Sequence, residues 1–392
     1  MEINEVRTTS EIKRFHQVPF DIYKNDKHWI PHIRQDVEKV FTPGKSKAIK
    51  EGGEIIRWLL TDNGKDIGRV AAFVNKVTMN TSEITTGGMG FFECANDKDA
   101  AFLLFNSCVE WLKKRGMEAM EGPVNFGERN QYWGLMVSNF DNPPVYLQAY
   151  NPPYYQKFFD EFGFGIYFEQ DIFWRSILEP AQPVFYRKYN QIKNDPRFKI
   201  TNIRGMTIQK VAEDFRTVYN GGWGDHEHFK PMSEEAAFKI FKSMEKVIDP
   251  DIIIFVYYDN KPSAFYISIP ELNQVFRHIN GNLNWVGKLK FLWHNWLQPS
   301  DRMMGIIFGV IKEWQGKGLE AGMIVFGEKT IVPKNKYKDT VLNWIGDFNP
   351  KMIKVAENLG ATPWRKYYTY KYLFDRTKEF KRSPISNERL NN

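Results

Sequence analysis

The stretch Glu313–Gly322, EWQGKGLEAG, decides how the rest of the chain is interpreted. Two glycines and a lysine separate the apolar run MMGIIFGVI from a second apolar run, AGMIVF. This pattern predicts a strand, a tight turn and then a helix. The first turn of a helix carries backbone N–H groups without intrahelical partners, and glycines let an anion approach them without interference from a Cβ. The stretch therefore predicts an anion-binding turn.

Other phosphate-binding motifs do not fit this turn. It lacks the spacing and the Lys-Ser/Thr pair of a nucleoside-triphosphate loop, and it has too few glycines for a dinucleotide fingerprint. Gln315 supplies an amide side chain and Lys317 a positive charge beside the glycines. What remains is a turn between strand and helix that holds a pyrophosphate.

Length and composition limit the number of domains and the class of protein. The chain has 392 residues, of which 42% are apolar and 26% charged, enough for about two or three globular domains. No run approaches the roughly 20 apolar residues that cross a bilayer, so we expect no membrane span. Only two cysteines are present, Cys94 and Cys108, which favours a reducing cytoplasm. The net charge of +7 favours an anionic partner but does not identify one.

The two halves of the chain repeat one order of elements. Each reads as strand, strand, strand, turn, helix, strand, helix, and the two late helices have the same spacing from proline (Pro153, Pro350) to glycine (Gly163, Gly360). Proline in the first turn and glycine after the last are common at any helix. Together with the shared order, they indicate a duplicated domain.

The turn and its surroundings resemble motif A of the GCN5-related N-acetyltransferase superfamily (GNAT). In that family a strand leads into V-x-x-x-x-[RQ]-x-x-G-x-[GA], and the backbone amides of the turn hold the pyrophosphate of coenzyme A. Val310 followed by QGKG matches the start of the pattern, and TVLNWIGDFNPKMIKVAENLGA resembles the family's next strand and helix. The resemblance is specific over residues 300–375 and topological in the first half.

The resemblance implies an α+β fold of two tandem GNAT-like domains, each a mixed, mostly antiparallel twisted sheet flanked by helices. We expect an N-terminal domain at residues 1–180, a linker at 181–200, a C-terminal domain at 201–380 and a flexible tail at 381–392. It also implies acetyl-coenzyme A or another acyl-coenzyme A as cofactor, bound by the second copy. The implied cofactor-binding residues are Phe308, Val310, Gln315, Gly316, Lys317, Gly318, Leu319 and Asn349.

The sequence departs from the family pattern at several positions. Glu320 stands where the motif has Gly or Ala, and the corresponding turn of the first half, ECANDKD, is acidic. We therefore expect no cofactor in the first copy, which would instead shape the substrate cleft. The family's tyrosine acid, four residues before the closing glycine, is replaced by Ala356 and by Phe159.

The catalytic candidates come from strand ends and from the last strand. Tyr367, Tyr368 and Tyr370 lie close to the missing acid in the family fold, and we select Tyr368. Asp347 and Glu93 follow or lie near strand ends where the cleft would open, so we name them as candidate general bases.

The sequence thus predicts a cytoplasmic acyl-coenzyme A-dependent N-acyltransferase that acts on a small-molecule or peptide amine, with no DNA partner. Two alternatives stay open: an aminoacyl-tRNA-dependent peptidyl transferase of the same tandem fold, and a non-catalytic acyl-coenzyme A sensor. No metal is expected, because His226 and His228 at i and i+2 would point apart on a helix. FLWHNWLQP, residues 291–299, fits either a membrane-surface anchor or a buried helix.

Overall fold

A computed structural model describes residues 1–80, 83–127, 129, 131–223 and 231–385. Within these ranges the chain forms helices and strands in the order expected for two repeated halves. The strands are β1 (Glu2–Glu5), β2 (Glu54–Asp62), β3 (Lys65–Val74), β4 (Thr86–Cys94), β5 (Ala119–Gly122), β6 (Leu135–Met136), β7 (Gly165–Ser176), β8 (Phe198–Asn202), β9 (Ile253–Tyr258), β10 (Lys261–Pro270), β11 (Arg302–Val310), β12 (Asp339–Gly346) and β13 (Thr362–Leu373). The helices are α1 (Thr9–Ile22), α2 (Arg34–Phe41), α3 (Lys47–Lys50), α4 (Lys98–Lys113), α5 (Tyr155–Phe162), α6 (Pro183–Lys193), α7 (Ile208–Trp223), α8 (Glu234–Met244), α9 (Asn273–Phe276), α10 (Trp285–Leu297), α11 (Leu319–Ile331) and α12 (Pro350–Asn358).

One sheet of 13 strands runs through both halves, in the order β1-β2-β3-β4-β5-β13-β7-β12-β11-β10-β9-β8, with β6 beside β13. Most neighbours are antiparallel, while β4–β5 and β11–β12 are parallel. The mixed α+β sheet and the tandem arrangement predicted from the sequence are confirmed.

The last strands of the two halves are exchanged. β13, which ends the second half, lies between β5 and β7, and β7, which ends the first half, lies between β13 and β12. Each half therefore completes its sheet with a strand from the other. A cut at the expected boundary, residue 180, would divide this shared sheet.

Local sequence signals explain the two main hairpins. Asn63 and Gly64 join β2 to β3, and Asp259 and Asn260 join β9 to β10, all four with positive φ. Two consecutive residues with positive φ form the turn whose twist matches that of paired strands, and Asn, Asp and Gly adopt it most easily. Asn63-Gly64 and Asp259-Asn260 therefore form the turns of these two hairpins.

The expected linker, residues 181–200, contains helix α6 and the start of β8. Its buried residues Phe185, Tyr189 and Ile192 pack against α11 or the sheet below it. Because α6 borders the glycine turn, this segment contributes directly to the candidate site. None of the helices within the described ranges is long and apolar enough to cross a membrane.

Candidate functional site

The turn that follows β11 has the backbone shape expected of a glycine-rich anion cradle. A 3₁₀ turn over Lys312–Trp314 follows the strand, and Gly318 is the residue before the first turn of α11. Gly316 has φ 74° and Gly318 has φ 88°, values that side chains with a Cβ rarely adopt. Gln315 fixes the turn to the strand, because its Nε2 donates a hydrogen bond to the Val310 carbonyl at 3.2 Å.

The turn is open where an anion would enter. A Cβ placed on Gly316 would meet nothing within 4 Å. The backbone amides of Leu319 and Glu320 lie in the first turn of α11, where no intrahelical acceptor exists and the helix dipole favours negative charge. Lys317 lies beside them with its Nζ 4.7 Å from the centre of the Trp314 ring.

Glu320, the main departure from the motif, is turned toward a cation. Its Oε1 lies 3.9 Å from Nζ of Lys188 on α6. The aliphatic part of Lys188 also borders the turn, since a Cβ on Gly318 would come within 3.0 Å of its Cδ. Lys188 partly neutralises the carboxylate and supplies positive charge beside the turn.

Sequence reasoning missed Lys188 because it lies in the segment treated as a linker. The apolar positions 185, 189 and 192 of that segment have helical spacing and could have identified α6.

The strands next to the turn separate and leave a gap. β11 and β12 pair only from Arg302 to Gly305, opposite Asp339 to Leu342. Beyond that point a bulge places Ile306 outside the ladder with β10, because Ile267 faces Ile307 while Ser268 faces Gly305. β12 also has a register shift opposite β7, between Leu342 and Ile345. The gap leads from the middle of the sheet to the glycine turn.

The first half repeats this geometry without the open turn. β4 pairs with β5 only over Thr86–Gly88, and its register against β3 shifts between Arg69 and Ala71. At the start of α4, however, Asp97 caps the helix and its carboxylate accepts hydrogen bonds from the amides of Asp99 and Ala100. A carboxylate of the chain itself thus occupies the donors that a pyrophosphate would use, which supports the expectation that this copy binds no cofactor.

A mostly apolar cavity of about 70 Å³ lies beneath α11, next to the paired part of β11 and β12. Tyr266, Met303 and Thr340 contribute from the sheet, and Met323 and Ile331 from the helix. Arg175 of the exchanged strand β7 and Glu328 of α11 form its polar edge. The cavity extends the apolar surroundings of the candidate site along the inner face of α11.

The other predicted cofactor residues take structural positions around the turn. Phe308, Val310 and Leu319 belong to one apolar cluster between the sheet and α11. Asn349 caps α12, with its side chain accepting a hydrogen bond from the Met352 amide at 3.3 Å. Phe308, Val310 and Leu319 are therefore beside the turn, while Asn349 positions the helix after β12.

The structure does not bring Tyr368 to the turn. The strand exchange places β13 three strands from β11, roughly 14 Å away at the usual strand spacing. Tyr368 packs against the apolar core of the first half, with its ring 6.0 Å from that of Tyr370. Family topology without the exchange would have put this strand beside β12.

Asp347 lies just beyond β12, as expected, but it is paired. Its Oδ2 lies 2.5 Å from a guanidinium nitrogen of Arg382 in the C-terminal segment. Arg382 would have to move before Asp347 could accept a substrate proton.

Glu93 belongs to a buried polar cluster of the first half. Its Oε2 accepts hydrogen bonds from the hydroxyls of Tyr23, at 2.8 Å, and Tyr155, at 3.0 Å, and Arg69 lies 3.6 Å from Oε1. Burial raises the pKa of Glu93, and Arg69 opposes the rise. Five strand steps separate β4 from β11, roughly 24 Å, so Glu93 is not brought together with the glycine turn.

The exchanged strand β7 supplies an acid that sequence reasoning missed. Asp171 is opposite Ile345 of β12, and burial raises the pKa of its carboxyl while Lys366, 3.6 Å away, opposes the rise. The polar stretch EQD inside an otherwise apolar strand was the available signal. Only the strand exchange places it beside β12.

The residues considered for metal binding, His226, Glu227 and His228, lie outside the described residues. Within the described ranges, no group of three or more His, Cys, Asp and Glu side chains is arranged to hold a metal ion. The absence of a metal stays a prediction.

Two curated proteins are similar to the chain over nearly its full length. It is 24% identical over 370 residues to Protein YghO of Escherichia coli (strain K12), covering 92% of each chain. It is 25% identical over 388 residues to the bacterial ceramide synthase of Caulobacter vibrioides (strain NA1000 / CB15N), covering 94% of this chain and 97% of the relative. No protein-family model matches the chain.

Solved structures with the same fold are GCN5-related N-acetyltransferases. A tandem GNAT protein from the clavulanic acid biosynthesis pathway aligns with a TM-score of 0.53 at 10% identity, covering 95% of this chain and 98% of the other. A glucosamine N-acetyltransferase region of a fungal multi-domain beta-N-acetylglucosaminidase aligns with a TM-score of 0.55 at 11% identity. That match covers 95% of this chain and 38% of the fungal one. The chain has the tandem GCN5-related N-acetyltransferase fold.

Proposed function

We propose that the protein is an acyl-coenzyme A-dependent N-acyltransferase whose donor binds at the second copy. The observation that carries the proposal is the open turn from Gln315 to Gly318, which joins the separated strand β11 to the first turn of α11. Backbone amides without intrahelical acceptors and a gap between strands thus lie next to each other. Such a site suits a ligand with a pyrophosphate at one end and a thin, extended arm.

The residues of the turn would bind the donor as follows. Amides of the turn and of the α11 start, with Lys317, would hold the pyrophosphate. The extended arm of the donor would lie along β11, between Val310 and the bulge at Ile306. Because Ile306 is left out of the hydrogen-bonded pairing between β10 and β11, its backbone is available to bond the arm. Acyl-coenzyme A supplies an activated acyl group there. The amine nitrogen attacks the thioester carbonyl carbon, so that a C–N bond forms and the C–S bond breaks. The proton lost by the amine passes, through a side chain or water, to the leaving thiolate, and the products are the amide and free coenzyme A.

We further propose that the acceptor is a long-chain amine. The relative from Caulobacter vibrioides, 25% identical, is named a ceramide synthase, and a ceramide is an N-acylated long-chain amino alcohol. The apolar cavity beneath α11 supports an apolar acyl chain on the donor as well.

The proton-transfer groups stay proposals. Asp171, with its raised pKa beside β12, joins Asp347 as a candidate base of the second copy. Tyr368 and Glu93 are candidates only for chemistry in the first half, where the structure places them. The cytoplasmic location likewise stays a prediction, consistent with two free, buried cysteines.

A matched pair of glycine substitutions tests the donor site. Gly316 and Gly205 both have positive φ, and an added Cβ meets nothing within 4 Å at either, so Ala imposes similar strain at each. We expect Gly316→Ala to weaken acyl-coenzyme A binding, measured by calorimetry, at least about tenfold, which corresponds to about 1.4 kcal/mol, because the turn loses its shape. Gly205→Ala should leave affinity unchanged.

A thiol-release assay with a short polar amine and a long-chain amino alcohol then tests the acceptor. Turnover with the long-chain amine alone is the expected result. Donor binding without turnover on either amine would favour the sensor alternative. No donor binding by the intact protein would contradict the proposal and direct attention to aminoacyl-tRNA.

A further inference from the structure

Helix α10 carries most of its large apolar side chains toward solvent. Seven of its 13 residues are large, apolar and exposed, and Trp285 and Trp296 are 73% and 74% exposed. Four of them follow the helical spacing i, i+4, i+7, i+11 and so form one stripe. The exposed apolar residues are Trp285, Val286, Leu289, Leu292, Trp293, Trp296 and Leu297.

The opposite side of α10 is fixed to the protein. Phe291 is buried and lies 5.4 Å, ring to ring, from Phe276 of α9. A Cβ on Gly287 would meet the Asn282 carbonyl oxygen at 1.9 Å, so the helix start lies directly against the preceding backbone. His294 stacks on His278 at 4.0 Å. The outward direction of the apolar stripe is therefore set by packing, and of the two interpretations of residues 291–299, the fully buried helix is wrong.

We propose that α10 docks the protein on an anionic lipid surface, with the helix lying flat in the headgroup region. Lys288 and Lys290 are exposed and flank the apolar stripe on its two sides, the pattern of interfacial helices that combine apolar insertion with attraction to anionic lipid. Three exposed tryptophans suit the boundary between headgroups and acyl chains. At 13 residues the helix is about 20 Å long, too short to span but long enough to lie on the surface.

The positive charge beside the exposed face of α10 favours an anionic lipid surface over a second copy of the chain as the partner of this face. A two-fold dimer through this face would bring Lys288 and Lys290 of one copy toward the same residues of the other, whereas an anionic surface complements them. The net charge of +7 acts in the same direction.

The docking helix connects with the core that surrounds the strand gap. Phe291, Phe276 and Ile306, the bulge residue of β11, belong to one apolar cluster. A lipid surface at α10 would thus lie on the same side of the sheet as this cluster, opposite α11. The proposal does not depend on acyl transfer, because vesicle binding needs no donor.

Two leucines of equal exposure provide the test. Leu292 on α10 and Leu178 outside the helices are each 57% exposed. In co-sedimentation with phosphatidylcholine vesicles containing phosphatidylglycerol, Leu292→Glu should lower the partition coefficient about tenfold or more, and Leu178→Glu should not change it. The double variant Lys288→Glu, Lys290→Glu should lose binding to anionic vesicles, and wild-type binding should weaken with salt.

Thermal unfolding of each variant checks that the fold is intact, and donor titration of Leu292→Glu without vesicles keeps this proposal separate from acyl transfer. Equal partition of Leu292→Glu and Leu178→Glu, or no vesicle binding by the wild type, would overturn lipid docking. A wild-type dimer that Leu292→Glu converts to a monomer would also overturn it, because the face would then cover a second copy.

Discussion

At the scale of single residues, Glu38 shows how strongly side-chain chemistry ties the N-terminal helices to the sheet. Its carboxylate accepts two hydrogen bonds of 2.8 Å from Arg57 of β2 and one of 2.9 Å from His16 of α1. Burial alone would raise the pKa of Glu38, but the hydrogen bonds from His16 and Arg57 outweigh it and lower the pKa to about 2. Burial also lowers the pKa of His16.

We expect Glu38→Gln to lower the free energy of unfolding by about 2 kcal/mol at pH 6, because the buried Arg57 loses its counter-charge. A lowered pKa stabilises the fold above the unfolded value, near 4.5, and that contribution is lost as pH falls toward 2. The difference between variant and wild type, measured by urea unfolding, should therefore fall to less than half at pH 3. A difference that stays constant from pH 6 to pH 3 would show that the charge of Glu38 is not its source.

At the scale of elements, the packing of α11 depends on Gly322. From the sequence alone, this glycine would be expected only to destabilise the helix. Gly inside a helix costs about 1 kcal/mol relative to Ala. In the structure, a Cβ on Gly322 would lie 3.0 Å from Ile200 Cδ1 of β8 and 3.2 Å from Ile192 Cδ1 of α6. The glycine therefore lets α11 approach both elements closely, and this approach also brings Lys188 beside the turn.

We expect Gly322→Val to destabilise the protein by about 2 kcal/mol, because overpacking forces α11 away from its neighbours. Gly44→Val is the control: a Cβ there meets nothing within 4 Å, so its effect should stay within about 0.5 kcal/mol. Chemical denaturation measures both. Similar stability of the two variants would mean that α11 adjusts without strain.

At the scale of the whole molecule, the exchange of β7 and β13 joins the two halves in one continuous sheet. β13 is hydrogen-bonded to β5 over Tyr370–Leu373 and to β7 over most of its length. Without it, β5 and β7 would each have an unpaired edge in the middle of the sheet. The core residue Tyr370, which packs among the first-half aromatics, would also be missing.

Truncation after residue 361, which removes β13, should therefore abolish cooperative unfolding of the whole chain, first half included. Truncation after residue 385 should leave a single transition, because it keeps all the strands found in the described part of the chain. Circular dichroism during heating distinguishes the two. A cooperative first-half transition in the shorter chain would show that residues 1–180 fold without the exchanged strand.

The sequence by itself determined what depends on neighbours along the chain. The hairpins at Asn63-Gly64 and Asp259-Asn260, the turn at Gly316 and Gly318, and the repeated order of elements all follow from backbone preferences and apolar periodicity. These local rules indicated a duplicated domain and an anion-binding turn, and the resemblance to the GNAT superfamily implied the tandem α+β fold and the candidate donor site.

Only the tertiary structure decided what depends on residues far apart in the chain. Because the final strands are exchanged, Tyr368 lies away from the glycine turn and Asp171 lies beside β12. The tertiary structure also paired Glu320 with Lys188 and turned the apolar stripe of α10 outward. Strand pairing and helix orientation are set by long-range packing, and the same periodicity fits a buried or an exposed face equally well. The apolar periodicity of a helix sequence predicts which residues form its apolar stripe, but packing against the rest of the fold decides whether that stripe faces the core or the solvent.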